Sequence, residues 1–346
     1  MKHFIVEIAY RIPADQLGEV VAQHRAFLQT GYDSGMLLFS GPQEPRTGGM
    51  AVARAESLEK VQAFFAQDPY HLSGLADHHF TEFNPIKLQP FIKDWVEGGK
   101  GENIGRRFMA GTQPGMYGPT RQKQGLPQPP LELPVDPSAP VFNLPDPAGM
   151  ILPPVDFRQM LTNRKTHRVY TDDPLSLMEF SFLLWATQGV KEVSARPATN
   201  RTVPSAGSRH AFETYLLVNR VEGLAPGLYR YLALSHRLAL VDDTPDVNAR
   251  LTAACMDQKQ IQNSAVTFFW TAVLARMYWR YDERGYRYLH LDAGHVCQNL
   301  YLAAEALGCG VCAIGAYDDN LLNHELGLDG EEHFMVYGGT IGRIAA

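Results

Sequence analysis

Cysteine is scarce in this 346-residue chain: four residues, too few for a disulfide framework in a protein of this size. A basic surplus is missing as well. The formal net charge of −6 provides no field to hold a phosphate backbone and argues against nucleic acid as a partner. Long apolar runs are absent too. The longest, Ser264 to Ala275, is closed by Arg276 after about 12 residues, whereas a membrane span needs about 20. It reads as a buried strand. The first residues show no basic start, apolar block and cleavage site; Phe4, Val6, Ile8 and Tyr10 alternate with Ile5 and Glu7 instead. No Gly-x-Gly-x-x-Gly element follows a strand pattern, so a resident Rossmann domain finds no support. With no internal repeat between the halves either, the expectation is a cytoplasmic protein with no membrane partner. What remains is 45% hydrophobic and 20% charged residues, a globular profile in a chain long enough for two cores.

The pattern divides into three stretches. Residues 1–96 alternate strand and helix signals: a strand at Phe4–Tyr10, a helix from Pro13 to Thr30, and strands around Met36–Ser40 and Met50–Ala53. A second helix begins after Ser57, with Lys60 where a capping box needs Glu or Gln, and stops at Asp68–Pro69. A last strand is expected through Phe80–Phe83 and Lys87–Ile92. Two helices on an antiparallel sheet predict a ferredoxin-like α+β domain. Residues 97–154 lose all period, and 12 of the chain's 23 prolines lie between Pro114 and Pro154. The stretch reads either as a semi-rigid linker or as an arm lying on the second domain or its dimer mate. The arm is favoured by the anchors Phe108, Met116, Tyr117 and Phe142. Residues 155–346 return to order, with helices at Phe157–Asn163, Leu177–Gln188 and Tyr288–Leu307. Strands are expected at Phe212–Val218, Leu228–Leu240 (a hairpin), Val266–Leu274, Gly310–Ile314 and Phe334–Gly342.

Four segments of this last stretch carry chemistry. The run from Arg164 to Tyr170 sets Arg164, Lys165, Thr166 and Arg168 between two helices, where cations and a hydroxyl can surround a phosphate. Its plain reading is a solvated basic loop. The small residues Pro204-Ser205-Ala206-Gly207 let a backbone approach a flat ligand, and Ser205 can bond to its edge; a tight turn is the plainer account. Gly308 to Ala316 is a strand ending in the small residues Gly315 and Ala316. Tyr337 to Arg343 is another strand with a cation at its end. Cys309 and Cys312 have Cys-x-x-Cys spacing without a second pair, so buried small side chains are expected and no metal. His295 on the long helix reads as a hydrogen-bonded core residue more readily than as an acid–base.

In this order the four segments resemble the nitroreductase superfamily, most closely its SagB-type branch of flavin dehydrogenases. Further carriers of the resemblance are Leu184-Trp185-Ala186, Gly227-Leu228-Tyr229-Arg230-Tyr231, Tyr281 to Arg287, Gly294-His295 and Gln298-Asn299. The resemblance implies an α+β homodimer with FMN at the subunit interface, acting on a peptide-derived or small heterocyclic substrate. It assigns Arg164, Lys165, Thr166 and Arg168 to the phosphate and ribityl end. It sets Pro204, Ser205 and Gly207 beside the ring, with Gly315, Ala316 and Arg343 completing the site. Where azoline oxidases of that branch have a Lys-Tyr pair to deprotonate the substrate, this chain has Arg280-Tyr281. Arginine stays protonated and is no base, which puts azole formation in doubt. Two rivals stand beside this reading: an NAD(P)H-dependent nitro or quinone reductase, and a catalytically silent binding subunit of a peptide-modifying complex.

The first domain resembles the YciI-like family through His24-Arg25-Ala26-Phe27-Leu28, Gly35, Ser40-Gly41-Pro42 and Asp68-Pro69-Tyr70. That resemblance implies a dimeric ferredoxin-like fold with a cleft, in which His24 and Asp68 are the matching His and Asp. The pair can act as a general base. A binding or dimerising module is the alternative.

Overall fold

Alternation in the first ten residues becomes β1 (Lys2–Tyr10), whose Phe4, Val6 and Ile8 are buried while Glu7 faces out. The structure, a computed structural model, describes residues 1–89, 92–96, 104–195 and 198–345. It packs as two units, Met1–Ala110 and Gly111–Ala346.

In the first unit β1 is followed by α1 (Val20–Asp33), β2 (Leu37–Pro42), β3 (Gly48–Ala55), α2 (Leu58–Phe65), α3 (Pro69–Leu72) and β4 (Ala76–Phe83). The antiparallel sheet runs β2-β3-β1-β4, the ferredoxin-like arrangement. Leu28 of α1 and Val61 and Phe65 of α2 close over Phe4, Val6 and Ile8. The helix expected from Pro13 is broken. Ala14–Gln16 makes a short 3₁₀ turn, Gly18 takes a left-handed φ of 59°, and the α-helix starts only at Val20. Ser57 precedes α2 without a side-chain cap bond, whereas Asp68 caps α3 through the Tyr70 amide. No strand forms at 87–89, and the rest of that expected strand includes 90 and 91, outside the described residues. Two helices, α4 (Lys93–Val96) and α5 (Ile104–Gly111), follow.

The second unit contributes β5 (Val141–Asn143), α6 (Phe157–Asn163), α7 (Leu177–Gln188), and the hairpin of β6 (Val190–Ser194) and β7 (Ala198–Arg201). Then come β8 (Phe212–Val218), β9 (Gly227–Leu232), β10 (Arg237–Asp242), α8 (Val247–Ala254), α9 (Lys259–Asn263) and β11 (Val266–Val273). The chain finishes with α10 (Leu274–Tyr281), α11 (Gly285–Ala306), β12 (Cys309–Ile314), α12 (Asp319–Glu325) and β13 (His333–Arg343). Seven strands pair antiparallel in the order β12-β13-β11-β8-β9-β10-β5. Both faces of the central strands are covered, which is why they read as continuous apolar runs. Leu216, Phe268 and Trp270 face α7 and α11, while Tyr215, Leu217 and Phe269 face α8, α9 and α12. The apolar run from Ser264 does not end as a strand: Leu274 turns it into α10.

The proline-rich stretch lies along its own unit. Gln122 N donates to Trp279 O at 2.8 Å, Trp279 Nε1 to Leu126 O at 2.8 Å, and Arg276 Nε to Pro130 O at 2.7 Å. Glu213 and Arg276, both almost fully buried, pair at 2.5 Å, and Glu213 also accepts from the Leu133 amide. Among the described residues no helix is long and apolar enough to cross a membrane.

Candidate functional site

The basic segment is held against the sheet by glycines. Thr166 bridges Val311 of β12 in parallel, His167 N donates to Val311 O at 2.9 Å, and Thr171 N to Arg343 O at 2.9 Å. Gly310 and Gly342 are register partners on β12 and β13. A Cβ on Gly310 would stand 2.6 Å from that of His167, and one on Gly342 would stand 2.8 Å from the Tyr170 ring. The two glycines therefore let His167 and Tyr170 lie flat on the strands, which aims the residues between them outward. Arg164 stacks its guanidinium over Tyr301 of α11 at 5.4 Å. The Thr166 hydroxyl lies 3.1 Å from the Tyr301 hydroxyl, which accepts the Ala313 amide at 3.0 Å. Lys165 and Arg168 are exposed, and Arg168 approaches the Cys312 thiol. None of these three cations has a carboxylate partner among the described residues. Three charges without a carboxylate partner among the described residues and a hydroxyl, gathered at one sheet edge, form a set that could surround an anion.

The second cluster is the turn after β7. Gly207 has a φ of 55°, and a Cβ there would collide with the Tyr281 hydroxyl and meet Arg280 Nε at 2.7 Å. Only glycine meets both demands. The Ser205 hydroxyl donates to Asp292 at 2.5 Å and accepts the His210 amide at 2.9 Å, so it is committed to the turn rather than free for a ligand edge. Asp292, buried on α11, also accepts the Ala206 amide at 3.2 Å. Burial pushes its carboxyl above the usual range, against the pull of those two hydrogen bonds. Pro204 is exposed at an open cleft of about 570 Å³, which Lys191, Thr202, Ser208 and His210 also line. The Tyr281 ring packs edge-on to Tyr288 at 4.7 Å, and the Arg280 guanidinium stands 5.7 Å from the Tyr281 ring centre.

The two clusters flank one helix. Asp292 and Tyr301 are nine residues apart on α11, which is about 13.5 Å and two and a half turns. They stand on opposite flanks of the stripe that Leu289, Val296 and Leu300 bury. Gly315 and Ala316 end β12 exposed. Arg343 binds both oxygens of Glu179 at 2.6 and 2.8 Å and is neutralised where it stands. Glu179 also completes the capping box of α7 with Ser176. His295 is exposed on α11, contrary to the core role expected of it. All four cysteines are free and buried, and burial pushes the Cys309 thiol up to about 11. Among the described residues no group of three His, Cys, Asp or Glu side chains could hold a metal.

In the first unit His24 of α1 and Asp68 meet at 2.7 Å, and the sequence reading missed their third member. His78 of β4 bonds to the other Asp68 oxygen at 3.0 Å. Burial alone would raise the Asp68 carboxyl, but hydrogen bonds from His24 and His78 outweigh it and hold it at about 2. Tyr70 stacks on the His24 ring at 4.0 Å. Asp292, Tyr301 and Glu179 were missed as well, each lying more than 80 positions from its partner in this site.

Residues 161–343 match the model of the nitroreductase family, and residues 3–84 match that of the YCII-related domain. A Methanocaldococcus jannaschii protein provisionally named a nitroreductase is 34% identical over 166 residues, 48% of this chain and 81% of that protein. The trifolitoxin-processing protein TfxB of Rhizobium leguminosarum is 29% identical over 133 residues, which span 37% of this chain and only 36% of TfxB. A crystal structure from Ralstonia eutropha, also provisionally named a nitroreductase, shares 26% identity at a TM-score of 0.50. The match covers 64% of this chain and 95% of that one.

Proposed function

The chain belongs to the nitroreductase family, and from that premise we propose that it is an FMN-dependent oxidoreductase whose flavin sites form between two copies. Members of this family are flavin enzymes, and bound FMN would supply transfer of a hydride equivalent. The observation that carries the reading is the trio of uncompensated cations, Arg164, Lys165 and Arg168, beside the Thr166 hydroxyl. These four residues fit the phosphate and ribityl end. Pro204, the Ser205 backbone and Gly207 would border the ring, and Gly315 and Ala316 would lie beside it at the end of β12. Arg343 acts as a tie between α7 and β13 rather than as a phosphate ligand, because Glu179 already neutralises it. The flanking geometry of α11 favours two copies. Between those flanks Leu291, Gly294, His295 and Gln298 form an exposed face that a second copy would cover.

Tyr281 and Arg280 stand against the Gly207 turn, where they orient a substrate and stabilise developing negative charge. The SagB-type reading, with a peptide-derived or small heterocyclic substrate, draws support from the likeness to TfxB. A second reading, reduction of nitro or quinone compounds by NAD(P)H, is favoured by Arg280, which cannot remove a substrate proton. Denaturing the purified protein and identifying the released flavin tests the common core. About one FMN per chain is expected, and FAD or no flavin after reconstitution overturns it. Turnover with NADH or NADPH rather than with oxygen then selects the second reading.

A further inference from the structure

The first unit contains a cavity that flavin chemistry leaves unused. Its volume is about 280 Å³, at the small end of the roughly 300–1,000 Å³ range for small-molecule sites. Ile8, Leu17 and Leu28 give it apolar walls, with the ring of Tyr70 at one side. Its polar side chains are two arginines, a histidine and the hydroxyls of Tyr10, Ser40 and Tyr70. Arg25 of α1 and Arg46 of the β2–β3 loop are exposed at its rim and form no ion pair among the described residues. His24 supplies the third nitrogen group.

The orientation of the His24 ring follows from its partner. Asp68 is fully buried and accepts from three groups: the Tyr70 amide at 3.0 Å, His78 and His24. A carboxylate only accepts, so both imidazoles must donate to it. The Nδ1–H of His24 is therefore committed to Asp68, which leaves Nε2 for the cavity. His78 presents its Nε2–H to Asp68, and its Nδ1 is buried without a partner among the described residues. The cavity thus combines two unpaired cations at its rim, apolar walls and an imidazole held in place by Asp68.

We propose that this cavity binds a small organic carboxylate with an apolar body. The carboxylate faces Arg25 and Arg46, the body lies against Leu17, Leu28 and Tyr70, and a hydroxyl of the ligand donates to His24 Nε2. This site is independent of the flavin reading and stands or falls separately. Calorimetric titration of the full chain with 4-hydroxybenzoate tests it, with benzoate lacking the hydroxyl and 4-methylphenol lacking the charge as comparison probes. Binding is expected for 4-hydroxybenzoate, weaker by several-fold for benzoate and by at least tenfold for 4-methylphenol. Arg25→Gln with Arg46→Gln, a change at two exposed positions, should weaken 4-hydroxybenzoate at least tenfold. His24→Gln should abolish its advantage over benzoate. No binding at millimolar concentration, unchanged affinity in the double arginine variant, or equal affinity for 4-methylphenol overturns the proposal. The arginine variant also places the site, because binding at the flavin cleft would survive it. Should the double variant lose its fold, Arg46→Gln alone carries the same comparison.

Discussion

Arg164 and Arg168 bracket a hydroxyl and a lysine at the edge of a sheet, and neither is neutralised by a carboxylate among the described residues. If they fork a phosphate, each lost charge-assisted contact costs about 1.5–3 kcal/mol of cofactor affinity. Arg164→Ala with Arg168→Ala should therefore release FMN while the circular dichroism of the fold stays unchanged. An unaltered FMN dissociation constant would return the segment to a solvated loop. Asp68 makes a second prediction at this scale. Its carboxyl is held at about 2 against an ordinary 3.8, so the folded state binds the proton less well than the unfolded chain. The resulting stability, roughly 2 kcal/mol, is fully present above about pH 4 and is lost as pH falls through about 2. Thermal unfolding followed from pH 5 to 2 should show this acid-side loss in the wild type, and a shallower one in Asp68→Asn.

At the scale of elements, the basic segment is an annex to the sheet, seated where two glycines face each other across β12 and β13. Gly310→Ala brings a methyl group to 2.6 Å from the His167 Cβ, closer than packed carbon atoms can stand. Overpacking of this kind costs about 1–3 kcal/mol. The variant should melt earlier and retain less FMN even though no cofactor-facing side chain has changed. Normal FMN affinity in a destabilised Gly310→Ala would mean that the seat of the segment does not govern the site. The strap from Gln122 to Pro145 is positioned by buried charge rather than by its own sequence, since Glu213 and Arg276 bind its backbone at Leu133 and Pro130.

For the whole molecule, the arrangement around α11 is decisive. Asp292 and Tyr301 occupy opposite flanks of α11, and between them Leu291, Gly294, His295 and Gln298 are exposed, the face that a second copy would cover in the proposed dimer. Sedimentation of the purified protein should show a dimer that carries the flavin, and dilution should dissociate chains and flavin together. An FMN-loaded monomer would exclude the shared site.

Much was legible in the residues alone, because strands and helices announce themselves through local periods of 2 and 3.6. The alternation of β1, the apolar spacing of α11 and the continuous runs of β8 and β11 all lie within single segments. The composition of the basic segment and of the Pro204–Gly207 turn was equally plain, and so was the pairing of His24 with Asp68 as candidates. Tertiary structure decided what those residues touch. Asp292 holds Ser205 across 87 positions, Glu179 neutralises Arg343 across 164, and His78 of β4 meets Asp68 across ten. Local pattern also failed where a left-handed Gly18 interrupts the first helix, and where Leu274 turns an apolar run from strand into helix. Periodicity reports which face of a segment avoids water. It has no means of reporting which distant side chain will meet that face, because such pairings are selected by the packing of the whole sheet and its helices.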